Sequence, residues 1–97
     1  MKDVITPEKI RKYLDITGLA LDKATIIAPG SSYIAEVAAD FFDMASRYYR
    51  DANHFYEKDD YVNAFAAINY AHGWLDAGAR LGIFDVSEDH RLFTLAK

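Results

Sequence analysis

From Tyr61 to Phe84 the chain reads YVNAFAAINYAHGWLDAGARLGIF, a stretch of helix length in which Asp76 and Arg80 are the only formal charges. On a wheel of about 100° per residue, Tyr61, Phe65, Ile68, His72, Leu75 and Ala79 fall on one side. Ala66, Tyr70, Trp74, Ala77 and Leu81 fall roughly opposite. A helix apolar on both sides needs two packing partners. The spacing therefore predicts a helix wetted almost nowhere, its second side covered by the C-terminal tail or by another copy of the chain.

Two breaks organise the rest. Ala28-Pro29-Gly30-Ser31 joins a helix-stopping proline to a permissive glycine and to serines able to cap the next helix. At Lys58-Asp59-Asp60 a lysine can sit at a helix carbonyl end, and either aspartate can accept from the free amides opening the third helix. Two breaks make three helices, expected at residues 7–27, 32–58 and 60–83, with a tail over 84–97. The first opens with Thr6 as cap and Pro7 at the first helical position, and its buried stripe is Ile10, Tyr13, Leu14, Thr17, Ala20, Leu21 and Ala24. In the second, Phe41, Tyr48 and Phe55 recur every seven residues, as do Phe42, Tyr49 and Tyr56, with Ala38, Ala45 and Ala52 between them. These aromatics are expected to build the core. Glu36, Asp40, Asp43, Arg47, Arg50 and His54 form the wet face. Short connections force antiparallel neighbours. The expected fold is an all-α, up-down-up three-helix bundle in one domain, residues 1–97, with the apolar tail (Phe84, Val86, Leu92, Phe93, Leu95) packed back on it.

Composition excludes several classes of function. The 97 residues hold no cysteine, which removes disulfides, thiol nucleophiles and thiolate metal sites together. A net charge of −4 supplies no general attraction to phosphate backbones, so nucleic acid is not the expected partner. The N-terminal MKDVITPEK lacks a signal-peptide apolar run, and Asn63, Asn69 and His72 interrupt the one long apolar window, so no membrane span is expected. These readings point to a cytoplasmic protein.

The third helix carries the polar constellation that most resembles a site. Asn69, His72, Asp76 and Arg80 succeed one another at helical spacings of three, four and four. An imidazole beside a carboxylate suits a general base or a metal ligand, with Arg80 available to an anion. The same residues also make ordinary helix pairs, and they need a third polar group from a neighbouring helix before they become a site. The second helix offers mainly tyrosine hydroxyls. Glu36, Asp40 and Asp43 place three carboxylates on one face, but they point outward and lack the Glu-x-x-His spacing of di-metal bundles, so no metal and no cofactor are expected. Arg47 and His54 resemble the arginine–histidine pair of certain helical ribonuclease domains, although Tyr48 stands where that family has a polar residue. FYEKDDYVNAFAAINYA, residues 55–71, looks like a tetratricopeptide-repeat junction, but one copy cannot bury a continuous repeat face. Ala64, Ala67, Ala71 and Gly78 let a neighbouring helix come close.

Taken together, FYEKDDYVNAFAAINYAHGWLDAGARLGIF and LFTLAK resemble an archaeal family of small helical proteins known as a domain of unknown function, number three hundred and fifty-seven. Its most distinctive part here is Tyr70-Ala71-His72-Gly73-Trp74-Leu75-Asp76-Ala77-Gly78, together with Gly82–Phe84 and Leu92-Phe93-Thr94. The resemblance implies a compact three-helix bundle and brings no reaction, substrate or cofactor. The expected function is a non-enzymatic module that docks a protein partner or pairs as a homodimer through Tyr70, Trp74 and Leu81. The alternative is a nuclease-like or metal-assisted enzyme using His72/Asp76 or Arg47/His54. No catalytic residue is assigned, and the sequence leaves any small-molecule ligand unspecified.

Overall fold

The computed structural model describes residues 3–27 and 32–86. Helix α1 spans Pro7–Lys23, α2 Tyr33–Glu57 and α3 Tyr61–Leu81, with two short strands, β1 (Thr25–Ile26) and β2 (Phe84–Asp85). The helices pack as an all-α, up-down-up three-helix bundle. Each start is capped as its residues dictate. The Thr6 hydroxyl accepts from Lys9 N (3.1 Å), Ser32 Oγ from Ala35 N (3.0 Å), and Asp60 Oδ1 from Asn63 N (3.2 Å).

The α2–α3 turn is tight. Asp59 adopts a left-handed φ of 61°, and Asp60 N donates back to Phe55 O at 2.9 Å. The Tyr61 hydroxyl donates to Asp59 Oδ1 (3.0 Å), and this bond to a carboxylate, helped by burial and by nearby negative charge, raises the phenol above its ordinary range. At the far end of α3, Gly82 turns the chain with φ 79°, and Ile83 N closes the helix on Gly78 O (3.1 Å).

Helix α1 ends four residues short of the expected boundary at 27. Ala24 leaves the helix, and the β-branched run Thr25-Ile26-Ile27 extends to pair antiparallel with β2, Thr25 opposite Asp85 and Ile26 opposite Phe84. Ile27 N adds a bond to Ile83 O (3.2 Å). This ribbon was not foreseen, because two-residue strands carry no periodicity. The start of the tail does return to the bundle, with Ile83, Phe84 and Val86 buried against Leu75, Ala38 and Ala45. The expected packing of residues 87–97 lies outside the described residues.

The interior corrects the expected division of labour. In α2 the buried residues are Ala38, Ala45 and Ala52, whereas Phe41, Phe42, Tyr48, Tyr49, Phe55 and Tyr56 are half-buried along its flanks. They face a matching small-residue seam on α3, of Ala64, Ala67, Ala71 and Gly78, with Ile68 and Leu75 beside it. Small side chains let the two backbones approach, and the rings close over the seam on both sides. The inward line of α3 therefore runs between the two faces drawn on the wheel.

That shift also leaves one side of α3 wetter than expected. Val62, Tyr70 and Leu81 are 72%, 52% and 64% exposed, and Ala66, Asn69 and Gly73 are exposed with them. Among the described residues, α3 is a helix with one buried arc and one open strip. No described helix is long and apolar enough to cross a membrane.

Candidate functional site

The open strip of α3 borders two hollows, one on each side. On the α1 side, His72 reaches across to a residue of the neighbouring helix. Its Nδ1 lies 3.0 Å from Thr17 Oγ1, and Thr17 is 2% exposed, the buried polar residue of the bundle among those described. His72 Nε2 lies 3.7 Å from Asp76 Oδ1, one turn along α3. A Thr17 hydroxyl donating to Nδ1 leaves the ring proton on Nε2, facing the carboxylate, so one tautomer serves both contacts. The ring is thereby fixed in orientation.

Around this bond opens a cleft of about 340 Å³, lined by Tyr13, Ile16 and Thr17 of α1 and by Ile68, Asn69, His72, Gly73 and Asp76 of α3. Three of the four residues of the expected polar strip meet here. The fourth, Arg80, is exposed in the last turn of α3 and does not line the cleft. The third polar group that the strip required comes from α1, whereas α2 was the neighbour considered. Thr17 stood among the apolar stripe of α1, and the clue was available: a hydroxyl on a buried stripe needs a partner.

On the other side lies a shallower groove of about 220 Å³, lined by Asn69, Tyr70, Gly73, Trp74 and Ala77. Its aromatic wall is held edge-on by α2. Trp74 meets Phe41 at 4.9 Å between ring centroids, Tyr70 meets Tyr48 at 4.5 Å, and the two α3 rings lie 6.2 Å apart. Trp74 Nε1 is buried and has no hydrogen-bond partner among the described residues, which costs free energy in an apolar wall. Leu81, expected to join Tyr70 and Trp74, lies beyond this groove, at the bundle end that carries Ile26, Ile27, Tyr33 and Ile34, all exposed.

Asn69 and Gly73 line both hollows, so they form the ridge between them. The described helices contain three interior glycines. A Cβ on Gly18 would stand 2.6 Å from the Tyr49 hydroxyl, and a Cβ on Gly78 would intrude on the Phe84 ring. Packing inside the bundle explains both. At Gly73 a Cβ would meet nothing within 4 Å. This helix accepts a penalty of roughly 0.5–1 kcal/mol relative to alanine, and no contact among the described residues requires it.

The remaining candidates stand apart. Arg47 Nε is bonded to Asp43 Oδ2 at 2.9 Å on the exposed face of α2, and His54 is exposed two turns on, beside Phe55. Glu36, Asp40 and Asp43 are likewise exposed, and no group of three metal-ligating side chains forms among the described residues.

A family model described as "Protein of unknown function (DUF357)" matches residues 12–84, a span that includes every residue of the cleft and the groove. Comparison with curated proteins and with solved structures returns no match. The chain therefore belongs to the DUF357 family of proteins of unknown function.

Proposed function

We propose that this protein is a non-enzymatic interaction module that docks a protein surface along the open strip of α3, centred on Gly73. Gly73 carries the reading. A residue that weakens its own helix and meets no packing need among the described residues is suited to letting another chain approach the backbone closely. The exposed Tyr70 and the half-buried Trp74 beside it are the residue types that dominate docking energy when desolvated. The His72–Thr17 bond serves this reading by joining α1 to α3, so that the cleft keeps its shape. The docked surface belongs either to a second copy of the chain, which makes a homodimer, or to a different protein. The cysteine-free composition fits a cytoplasmic setting.

The test uses the contrast between two substitutions at one exposed position. Gly73→Ala is expected to stabilise the fold, whereas Gly73→Leu is expected to leave the fold intact and block close approach. Sedimentation over a wide concentration range checks the homodimer directly. A parent chain that stays monomeric throughout removes the homodimer, and association unchanged in Gly73→Leu moves the docking surface elsewhere.

A further inference from the structure

We infer that the occupant of this strip is a second copy of the chain, its α3 laid antiparallel so that Tyr70 of each copy seats on Gly73 of the other. This rests on the docking reading and names the partner and its register. Val62, Ala66, Tyr70, Gly73, Ala77 and Leu81 follow one another at spacings of four, four, three, four and four, which keeps them within about 100° of one another on the helical wheel. None of the six carries a formal charge. All but Ala77 are exposed, and Ala77 lines the groove.

The sizes along this run are complementary about the midpoint between Ala71 and His72. Reversed about that point, Val62 falls opposite Leu81, Ala66 opposite Ala77, and Tyr70 opposite Gly73. A two-fold axis there lets one patch meet itself, each residue touching its counterpart twice over. The apolar ends then cover each other, the alanines let the two backbones close, and the one large ring meets the one bare position. A different protein is not needed to account for that bare position, because the ring that fills it stands one turn away on the same strip.

Both halves of the seat are in place. Tyr70 is half exposed, yet its ring is held edge-on to Tyr48 at 4.5 Å and to Trp74 at 6.2 Å, so little freedom is lost when it docks. A Cβ on Gly73 would meet nothing among the described residues within 4 Å, and Gly73 lines the groove of about 220 Å³ together with Asn69, Trp74 and Ala77. A parallel pair fails on the same residues. Equal positions would meet, ring on ring at Tyr70 and void on void at Gly73. It would also bring like ends of α3 together, whereas the antiparallel pair sets Asp59 and Asp60 at the start of one α3 toward Arg80 in the last turn of the other and opposes the helix dipoles. That match of sign holds whatever neighbours Arg80 has in its own chain. A strip about 30 Å long at 1.5 Å per residue makes an interface at the small end of the specific range, so the pair is expected to be weak, half-formed at about 10–100 µM.

The experiment uses the full chain, whose lack of cysteine lets single introduced thiols report the register. Ala66→Cys and Ala77→Cys are purified separately, mixed above the association midpoint and oxidised. Disulfide linking is expected to be at least about tenfold faster in the mixture than in either variant alone, because the register sets position 66 against 77 while like positions stay about 16 Å apart. Sedimentation checks the seat. Tyr70→Ala and Gly73→Leu are each expected to weaken self-association at least about tenfold, and an equimolar mixture of the two is expected to recover part of it. In the mixed pair one seat is native, and the other sets the leucine that replaces Gly73 against the alanine that replaces Tyr70. Recovery also shows that both variants are folded, and its absence overturns the seating of Tyr70 on Gly73. If each thiol variant links with itself as fast as the mixture does, the inference falls and the docking reading stands. A parent that stays monomeric throughout overturns the inference and leaves the strip to a different protein. Self-association unchanged by Tyr70→Ala and by Gly73→Leu removes both readings.

Discussion

Thr17 and Gly78 show how single atoms set the shape of the strip. The Thr17 hydroxyl satisfies His72 Nδ1 across the α1–α3 contact at 3.0 Å. Thr17→Val keeps the shape and removes that partner. It is expected to cost about 1 kcal/mol in denaturant unfolding, with Thr17→Ser costing less, because a part-buried hydrogen bond joining α1 to α3 is lost. Gly78→Ala sets two effects against each other. Alanine is the better helix former by about 1 kcal/mol, but its Cβ would intrude on the buried Phe84 ring, and overpacking typically costs about 1–3 kcal/mol. The expected net result is destabilisation, seen as a lower midpoint. Gly73→Ala, with no described residue within 4 Å of the added Cβ, is expected to gain roughly 0.5–1 kcal/mol. Matching signs at the two glycines would contradict the claim that, of this pair, Gly78 alone serves the interior.

Among the elements, the helix starts were the most legible in the sequence. Thr6 caps α1 as expected, and of the two aspartates offered for α3, Asp60 takes the role. Asp60→Ala is expected to cost about 1 kcal/mol by thermal unfolding, with the loss confined to the first turn of α3 in amide exchange. Helix ends were less legible. The β-branched run Thr25-Ile26-Ile27 favours extension, but it does not by itself end the helix, because the pairing that draws it out lies some sixty positions away at Phe84 and Asp85. The seven-residue repeat of α2 was visible, and Phe41, Phe42, Tyr49, Phe55 and Tyr56 do pack against the core, but only half-buried. Ala38, Ala45 and Ala52 hold the seam, and the aromatics flank it. Periodicity locates a face, whereas which of two neighbouring rows points inward depends on how closely the partner helix can come.

At the scale of the whole molecule, α2 and α3 form a continuous hairpin closed by the small-residue seam, while α1 is seated by Ile10, Leu14, Thr17 and Ala20. Amides of α1 are therefore expected to exchange through an opening of lower free energy than those at the centres of α2 and α3. Uniform protection across the three helices would show that the bundle opens only as one unit. The all-α class, the antiparallel order and the polar strip on α3 could all be read from the chain, because breaks, caps and apolar spacing are local properties. The partner of His72, the ribbon, and the exposure of one side of α3 could not. Each depends on which residues distant in sequence become neighbours, and a hydroxyl among apolar residues or a glycine within a helix acquires its meaning only from what stands opposite it. The sequence by itself determined that three helices form and which of their residues are able to face inward. The tertiary structure alone decided that α3 turns its alanines to α2, its histidine to α1 and Gly73 to water, because close approach of α2 and α3 rotates the remaining surface of α3 outward.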